Sequence, residues 1–441
     1  MSSQSSPLNI TQAWNVPDIQ RRLKFVTFAL LIFVLGTHIP TPGISQTMIA
    51  GFFGQAGAGG GGLFGLLDLF TGGALRKFSI LALGVMPYIN ASILMQILVA
   101  IEPRLKEIQQ EGEDGRKLIS KYTRYLAIFF AFLQGFGIIY SLQSNHFLSP
   151  DYEGALSLIA PLTALLVVVA GTCFLMWMGD EITSKGIGNG ISLIIFIGIV
   201  NRVPWQIATE IGQAQFDQTR WAAILLFAAF LVIIVGGIVF IQLSVRKIPI
   251  QYARRQVGRK VYGGQSTYLP LKLAMAGVIP IIFAVSLLMI PPTILQFLPQ
   301  WSGGHSFWGK FSNSGWYAAL EFGLVFLFTF IYTAITFNTK EISDNLKKHG
   351  GFIPGIRPGK PTFDFMDKVL HRVTFFGGLF LSMVAVIPIL VNAIVFSVTQ
   401  VQIQTFYIGG TSLLIVVGVA LDTVQQLQAH MVMRHYSGFT K

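Results

Sequence analysis

Ten stretches of this chain are apolar and long enough to cross a bilayer, and together they take up about half of its 441 residues. They run over 25–41, 78–100, 123–143, 155–178, 190–207, 221–243, 272–294, 316–337, 373–397 and 406–426. A spanning helix needs about 20 apolar residues, because the hydrocarbon layer is about 30 Å thick and each helical residue rises about 1.5 Å. Charged residues make up only 11% of the chain, against roughly 25% in an ordinary soluble domain. With 53% hydrophobic residues and a mean hydropathy of +0.63, such a chain cannot cover its own surface in water. A soluble globular enzyme and a disordered chain are both excluded.

Ten is an even number, so both termini fall on one side of the membrane. Of the 31 Lys and Arg residues, 26 lie on that side. The other five, Arg76, Lys77, Arg202, Arg220 and Lys310, lie opposite. Cytoplasmic loops carry the excess of Lys and Arg, so the termini are cytoplasmic, and the net charge of +12 follows from this asymmetry. The chain divides into a cytoplasmic N-terminus (1–24), an N-terminal half (25–207), an external hinge (208–220), a C-terminal half (221–426) and a cytoplasmic tail (427–441). The C-terminal half carries two cytoplasmic loops, 244–271 and 338–371. No cleavable signal peptide is expected, because the first apolar run begins near Phe25 with no small-residue cleavage site after it. The one cysteine, Cys173, stands in an apolar run and reads as a small buried hydrophobe.

One apolar stretch is too short to span. Leu63-Phe64-Gly65-Leu66-Leu67-Asp68-Leu69-Phe70 follows the glycine run 59–62 and precedes Thr71-Gly72-Gly73. A short helix re-entering the protein from outside fits it, since backbone that leaves a regular helix at membrane depth must be lined by protein or water. A helix lying in the outer interface is the alternative.

The two halves repeat one another. Gly84-Val85-Met86-Pro87-Tyr88-Ile89 in the second span matches Gly277-Val278-Ile279-Pro280-Ile281-Ile282 in the seventh. Ser192–Ile199 in the fifth matches Ser412–Val419 in the tenth. A five-span repeat has an odd number of crossings, so the second copy stands inverted relative to the first. Gly/Pro-bearing spans at matching positions of such repeats point to the functional centre. Pro87 and Pro280 are expected to break their helices. Gly and Pro are also common in membrane helices for no functional reason.

The spans are almost free of charge. An ion-coupled transporter ordinarily holds a carboxylate, His or Lys at membrane depth, and the repeated segments here offer Val and Ile instead. An apolar constriction cannot coordinate an ion, but it can seal by dewetting. That favours a passive, gated channel over a pump.

Other motifs carry no chemistry. The formal GxGxxG at 57–62 has no strand before it and reads as a tether. There is no Walker A sequence, and the seven histidines lack metal-ligand spacing. No metal, cofactor or catalytic constellation is expected. The basic loops suit anionic lipid headgroups, or a large anionic partner such as RNA. Arg259-Lys260-Val261-Tyr262 before Gly263-Gly264 suggests a short hairpin.

Several segments resemble signatures of the SecY family. They are Gly350–Gly359 (GGFIPGIRPG), Ala82–Ile93 (ALGVMPYINASI), Gly186–Ser192 (GIGNGIS), Tyr268–Lys272 (YLPLK) and Gly409–Ile415 (GGTSLLI). The resemblance runs from about residue 20 to the C-terminus. It implies an all-α membrane protein with ten transmembrane helices in two inverted five-helix halves, a clamshell, and a short re-entrant plug helix. By the same resemblance, a ring of Val85, Ile89, Ile195, Ile199, Ile282 and Ile415 closes the pore waist. Leu63, Phe64, Leu66, Leu67, Leu69 and Phe70 belong to the plug. Asn90, Ser92, Gln96, Ala274 and Pro280 lie at a lateral gate between spans 2 and 7, with 3 and 8. Arg254, Arg255, Arg259, Lys260 and Arg357 dock the ribosome, including its RNA, or the SecA motor. SecE and SecG are the implied membrane partners, and signal peptides and unfolded secretory or membrane proteins the implied cargo. The implied setting is the bacterial inner membrane or the thylakoid membrane. The sequence departs from the family pattern at Ala274, where Asn is common, and at Val85, where a larger Ile is common.

Two other readings fit the composition. A secondary transporter for a small solute shares the inverted repeat but needs a polar substrate site. A membrane scaffold that anchors a cytoplasmic complex through the basic loops would need neither the short re-entrant stretch nor the paired Gly-x-x-Pro segments.

Overall fold

A computed structural model describes the chain at residues 16–45, 49, 68, 70–144, 156–215, 218–252, 255–257, 260–262, 266–295, 307, 311, 314–399 and 410–437. The N-terminal half holds α1 (Pro17–Gly36), α2 (Met86–Ile101), α3 (Pro103–Gln110), α4 (Glu113–Ser144), α5 (Leu156–Lys185) and α6 (Gly190–Ala214). The C-terminal half opens with α7 (Gln218–Leu243) and a hairpin system: β1 (Val245–Tyr252), β2 (Arg255–Val257), β3 (Lys260–Tyr262) and β4 (Ser266–Lys272). It continues with α8 (Ile279–Leu288), α9 (Ile290–Leu295), α10 (Gly315–Thr336), α11 (Thr339–Lys348), β5 (Gly351–Phe352), α12 (Lys360–Thr399) and α13 (Gly410–Ser437).

Each predicted span holds helix, but the elements differ in length. Seven are long and apolar enough to cross a membrane: α4, α5, α6, α7, α10 running on into α11, α12 and α13. The 20-residue α1 carries Asp18, Arg21, Arg22 and Lys24 in its first turns, so its crossing part is the apolar remainder. The other two, α2 and the α8–α9 pair, are short, and the reason lies in the repeated Gly-x-x-Pro segments. Neither proline breaks a helix as the sequence reading expects. Each instead sits in the first turn of one, with α2 starting at Met86 and α8 at Ile279. A proline there loses no hydrogen bond, because the first N–H groups of a helix have no partner inside it. The preceding glycines adopt matching left-handed conformations, Gly84 at φ 57° and Gly277 at φ 59°. That region is open to glycine and strained for other residues. Residues 71–85 and 273–278 are therefore non-helical, and each ends where its helix begins.

The loops are shorter than the sequence reading draws them. Helix α6 runs through the expected hinge to Ala214, and α7 starts at Gln218. Most of the 338–371 loop is helix: α11, then the first turns of the 40-residue α12. The expected hairpin is present, with Val257 opposite Lys260 and Arg255 opposite Tyr262. Separately, β1 and β4 pair in a longer antiparallel ladder, and β5 joins the free edge of β1 through Gln251–Phe352 and Tyr252–Gly351. This small sheet adds to the all-helical reading. Ile248, Ile250, Leu271, Leu346, Ile353 and Met366 form a core beneath it.

Packing separates two halves and joins them at defined seams. In the N-terminal half α2 lies on α4, α4 on α5, and α1 on α5 and α6. In the C-terminal half α8 and α12 flank α10, and α7 lies on α12 and α13. The halves meet through α2 on α8, and through α6 on α7 and α13. Ile19 of α1 packs with Ile187, Leu427 and Met431, a further bridge across the halves. The outward faces are apolar: Leu225, Val232, Ile233 and Phe240 of α7 are each more than two-thirds exposed. Such a face suits lipid or an apolar partner and would be unstable in water. Polar side chains inside the bundle mostly satisfy themselves locally. The hydroxyls of Thr329, Thr333 and Ser382 each donate to the carbonyl four residues earlier.

Helices approach the non-helical backbone closely at Gly171 of α5. A Cβ there would overlap the Ile80 carbonyl oxygen, which belongs to the non-helical stretch before α2. Gly171→Ala is expected to destabilise the fold by about 1–3 kcal/mol through overpacking, read as earlier thermal unfolding of the detergent-solubilised protein.

Candidate functional site

The non-helical backbone of 71–85 is the first feature of the site to explain. Bare N–H and C=O groups are costly away from water, so this stretch must be covered and internally bonded. Among its residues only Arg76 and Lys77 are exposed. Its groups pair locally and with the turn after α1. Gly73 N–H donates to the Asp68 carbonyl at 2.9 Å and Ser79 N–H to that of Ala74 at 2.9 Å. Thr41 N–H donates to the Phe78 carbonyl at 2.9 Å and Ile80 N–H to that of Ile39 at 3.0 Å. The described end of the short apolar stretch is buried as well. Phe70 is 3% and Asp68 1% exposed. This end lies inside the protein, as a re-entrant segment requires and an interfacial helix does not. Leu63, Phe64, Leu66, Leu67 and Leu69 lie outside the described residues.

The six aliphatic residues of the expected ring come from four helix starts in both halves. Val85 and Ile89 flank the start of α2, Ile195 and Ile199 lie on α6, Ile282 on α8 and Ile415 on α13. All six are buried and belong to one hydrophobic cluster, which also takes in Phe70 and Val278. Val278 is the repeat partner of Val85. Local signals set the register that brings them together. Asn189 caps α6 by accepting from Ser192 N–H at 3.2 Å, and the Thr183 hydroxyl accepts from Gly190 N–H at 2.8 Å. The GIGNGIS segment thus fixes where α6 begins, and with it the placing of Ile195 and Ile199.

The expected gate residues divide into two groups. Asn90, Ser92 and Gln96 are half-buried on α2, with the Gln96 amide donating to the Ser92 hydroxyl at 3.2 Å. Pro280 starts α8, and Ile93 of α2 packs against the core clusters of both halves. The α2–α8 seam is therefore closed. Ala274 is buried in the turn before α8, where the Leu273 carbonyl rests on Gly377 of α12. Its backbone thus lies against α12.

Of the expected docking residues, Arg357 is exposed on a turn held by the Thr362 hydroxyl, which donates to its carbonyl at 2.8 Å. Arg255 and Lys260 stand on β2 and β3. Arg254 and Arg259 lie outside the described residues. Pairing of β1 with β5 places the two basic loops in one layer.

Two residues that the sequence reading left unassigned stand out. Asp68 is the one acid in the apolar octet, and Arg202 ends the charge-free part of the fifth span. They form an ion pair at 3.1 Å with both side chains mostly buried. A lone carboxylate among apolar residues was the available signal, since buried charges are paired. Beside them Gly198 of α6 meets Gly72 so closely that a Cβ on Gly72 would stand 3.0 Å from the Gly198 Cα.

Two helical halves packed around one buried aliphatic cluster, with re-entrant backbone against it, define a multi-pass membrane protein of the channel class. The SecY family model matches residues 79–424. The SecY protein translocase subunit of Mycobacterium bovis is 42% identical over 438 residues, covering 96% of this chain and 97% of that protein. Its counterpart in Thermotoga maritima is 42% identical over 434 residues, with 97% and 96% covered. The chain belongs to the SecY family. The fold is also that of a solved protein-conducting channel, with a TM-score of 0.64 at 17% identity, covering 96% of this chain and 97% of that one. Sec61 in a canine ribosome–channel complex gives 0.61 at 16% identity over the same shares.

Packing at Gly198 is open to test. Gly198→Val places methyl groups against the Phe70 carbonyl and Gly72, within 3.3–3.6 Å already at its Cβ. It is expected to loosen the turn and raise the rate of tryptic cleavage at the exposed Arg76–Lys77 pair by about ten-fold, as local opening becomes easier.

Proposed function

We propose that this chain is the channel subunit of a protein translocase, a passive gated pore for unfolded polypeptides with a side exit into lipid. The observation that carries the reading is the single buried cluster that gathers Val85, Ile89, Ile195, Ile199, Ile282 and Ile415 from both halves. Branched aliphatic side chains offer an ion nothing in exchange for its water, so the waist seals by dewetting. They also bind no particular peptide sequence and can widen around any chain. The segment ending at Phe70 acts as the plug on the outer side of this waist. The α2–α8 seam is the lateral gate, through which apolar signal and membrane segments leave. The division into a cytoplasmic N-terminus, two halves and a short external hinge between α6 and α7 lets the clamshell open on the side away from that hinge. A signal peptide shifts the closed–open balance only by its difference in affinity for the two states.

The drive comes from outside the chain. The shared β-layer and the exposed Arg357 turn offer a basic cytoplasmic platform for a ribosome or a SecA-type motor. The solved relatives include channels bound to ribosomes, one canine and one from yeast. SecE- and SecG-type subunits and anionic lipid fit the apolar outward faces and their basic margins. The setting is the bacterial inner membrane, with both termini cytoplasmic, in keeping with the Lys and Arg asymmetry.

A crosslink tests the pore. With Cys173→Ser and Ile282→Cys, a secretory chain stalled in transit and carrying one cysteine is expected to form a disulfide at residue 282. It should do so only when its signal sequence is functional. No disulfide at 282, nor at cysteines placed for Ile89 or Ile415, with the protein folded and the chain engaged, would remove the waist assignment and return a solute transporter to consideration. A second test concerns Ala274. Its site is buried, and an unpartnered amide there costs about 1 kcal/mol or more. Ala274→Asn is expected to destabilise the closed arrangement and raise export of a weakened signal sequence by about three- to ten-fold. Unchanged export would separate this position from gating.

A further inference from the structure

The pair formed by Asp68 and Arg202 sits where a switch is needed. Asp68 belongs to the described end of the plug segment, and its side chain is 2% exposed. One carboxylate oxygen lies 3.1 Å from the Arg202 guanidinium, whose side chain is 17% exposed. The other accepts from Arg76 N–H at 2.8 Å. Arg202 is on α6, four residues after Gly198 and seven after Ile195. Residues at such spacings share a helix face. One face of α6 therefore carries a ring residue, the seat for the Gly72 turn, and the cation that holds Asp68.

Resting on the plug and ring reading above, we propose that Asp68 and Arg202 are the latch of the outer seal, and that α6 couples widening of the ring to its release. With the plug seated, the two charges are withdrawn from water and each is the other's compensation. Removing either alone leaves a charge buried without its partner, which is far more costly than removing both. When a polypeptide wedges Ile195 and Ile199 aside, α6 moves as a unit and carries Arg202 away from Asp68. Both ions then meet water on the outer side, and that hydration offsets the lost attraction. The seal is thus shut by default and opens when the waist is occupied. Neither residue touches cargo in this account. Both position the plug.

Passive chloride permeability of vesicles containing the channel with its partner subunits is the readout, normalised to the amount of channel protein. Asp68→Asn and Arg202→Gln are each expected to raise the resting leak about ten-fold or more, and the double variant to fall back toward the parent, because coupled partners are non-additive. Asp68→Glu, which keeps the charge, should leak less than Asp68→Asn. A return to low leak in the double variant also rules out misfolding as the cause in the singles. A variant lacking residues 59–70 separates this idea from the reading beneath it. If that deletion leaks while both single variants stay as tight as the parent, the latch is wrong and the plug stands. If the single effects multiply in the double variant, the two residues act separately and the latch is again wrong. If neither the deletion nor the single variants leak, the plug reading falls and the latch with it.

Discussion

Within a hydrocarbon layer, every backbone N–H and C=O must find its partner inside the protein. Most of this chain meets that demand with continuous helix. Among the described residues it departs from helix inside the bundle at 71–85 and 273–278, and the surrounding helices are arranged around them. Both stretches are wrapped by other helices: Gly171 of α5 admits the Ile80 carbonyl, and Gly377 of α12 admits that of Leu273. Both end in a left-handed glycine and a first-turn proline, so α2 and α8 start deep in the protein instead of at its surface. Side chains at those starts, Val85 and Ile89 in one half and Val278 and Ile282 in the other, are thereby brought into one cluster with α6 and α13.

Much of this was legible in the sequence, for a physical reason. The helical, membrane-spanning character and the recurrence of the Gly-x-x-Pro segments depend on composition and period, which are local properties. Segments that share one buried cluster could be flagged because the two Gly-x-x-Pro segments recur in register. What those prolines do was misread, since a proline after an apolar run looks like an interruption until the helix start is known. Loop lengths were overestimated for the same reason. Lys360–Arg372 is polar and so reads as loop, yet it forms the first turns of α12. The Asp68–Arg202 pair was out of reach because its members are 134 positions apart in the chain. Sequence could flag the odd carboxylate in an apolar octet. Only the fold could supply its cation.

The placing of charge and apolar surface follows from what each can do. An aliphatic waist is a good seal against ions but a weak holder of shape, because its contacts are non-directional and no single one decides its width. That softness is what a pore for many different chains requires. It also means that the waist alone does not distinguish a resting state from a partly widened one. A charge pair has the opposite character. It is directional and short-ranged in its geometry, and worth most where water is excluded. Placed at the ring itself, it would offer ions a site and spoil the seal. Placed one helical turn or two outward, on the same face of α6, it can hold a single closed arrangement without entering the waist. The ordering along α6, from Ile195 through Gly198 and Ile199 to Arg202, thus divides the work. On the proposed reading, apolar residues exclude ions, glycine permits contact, and the cation at Arg202 defines when contact is made.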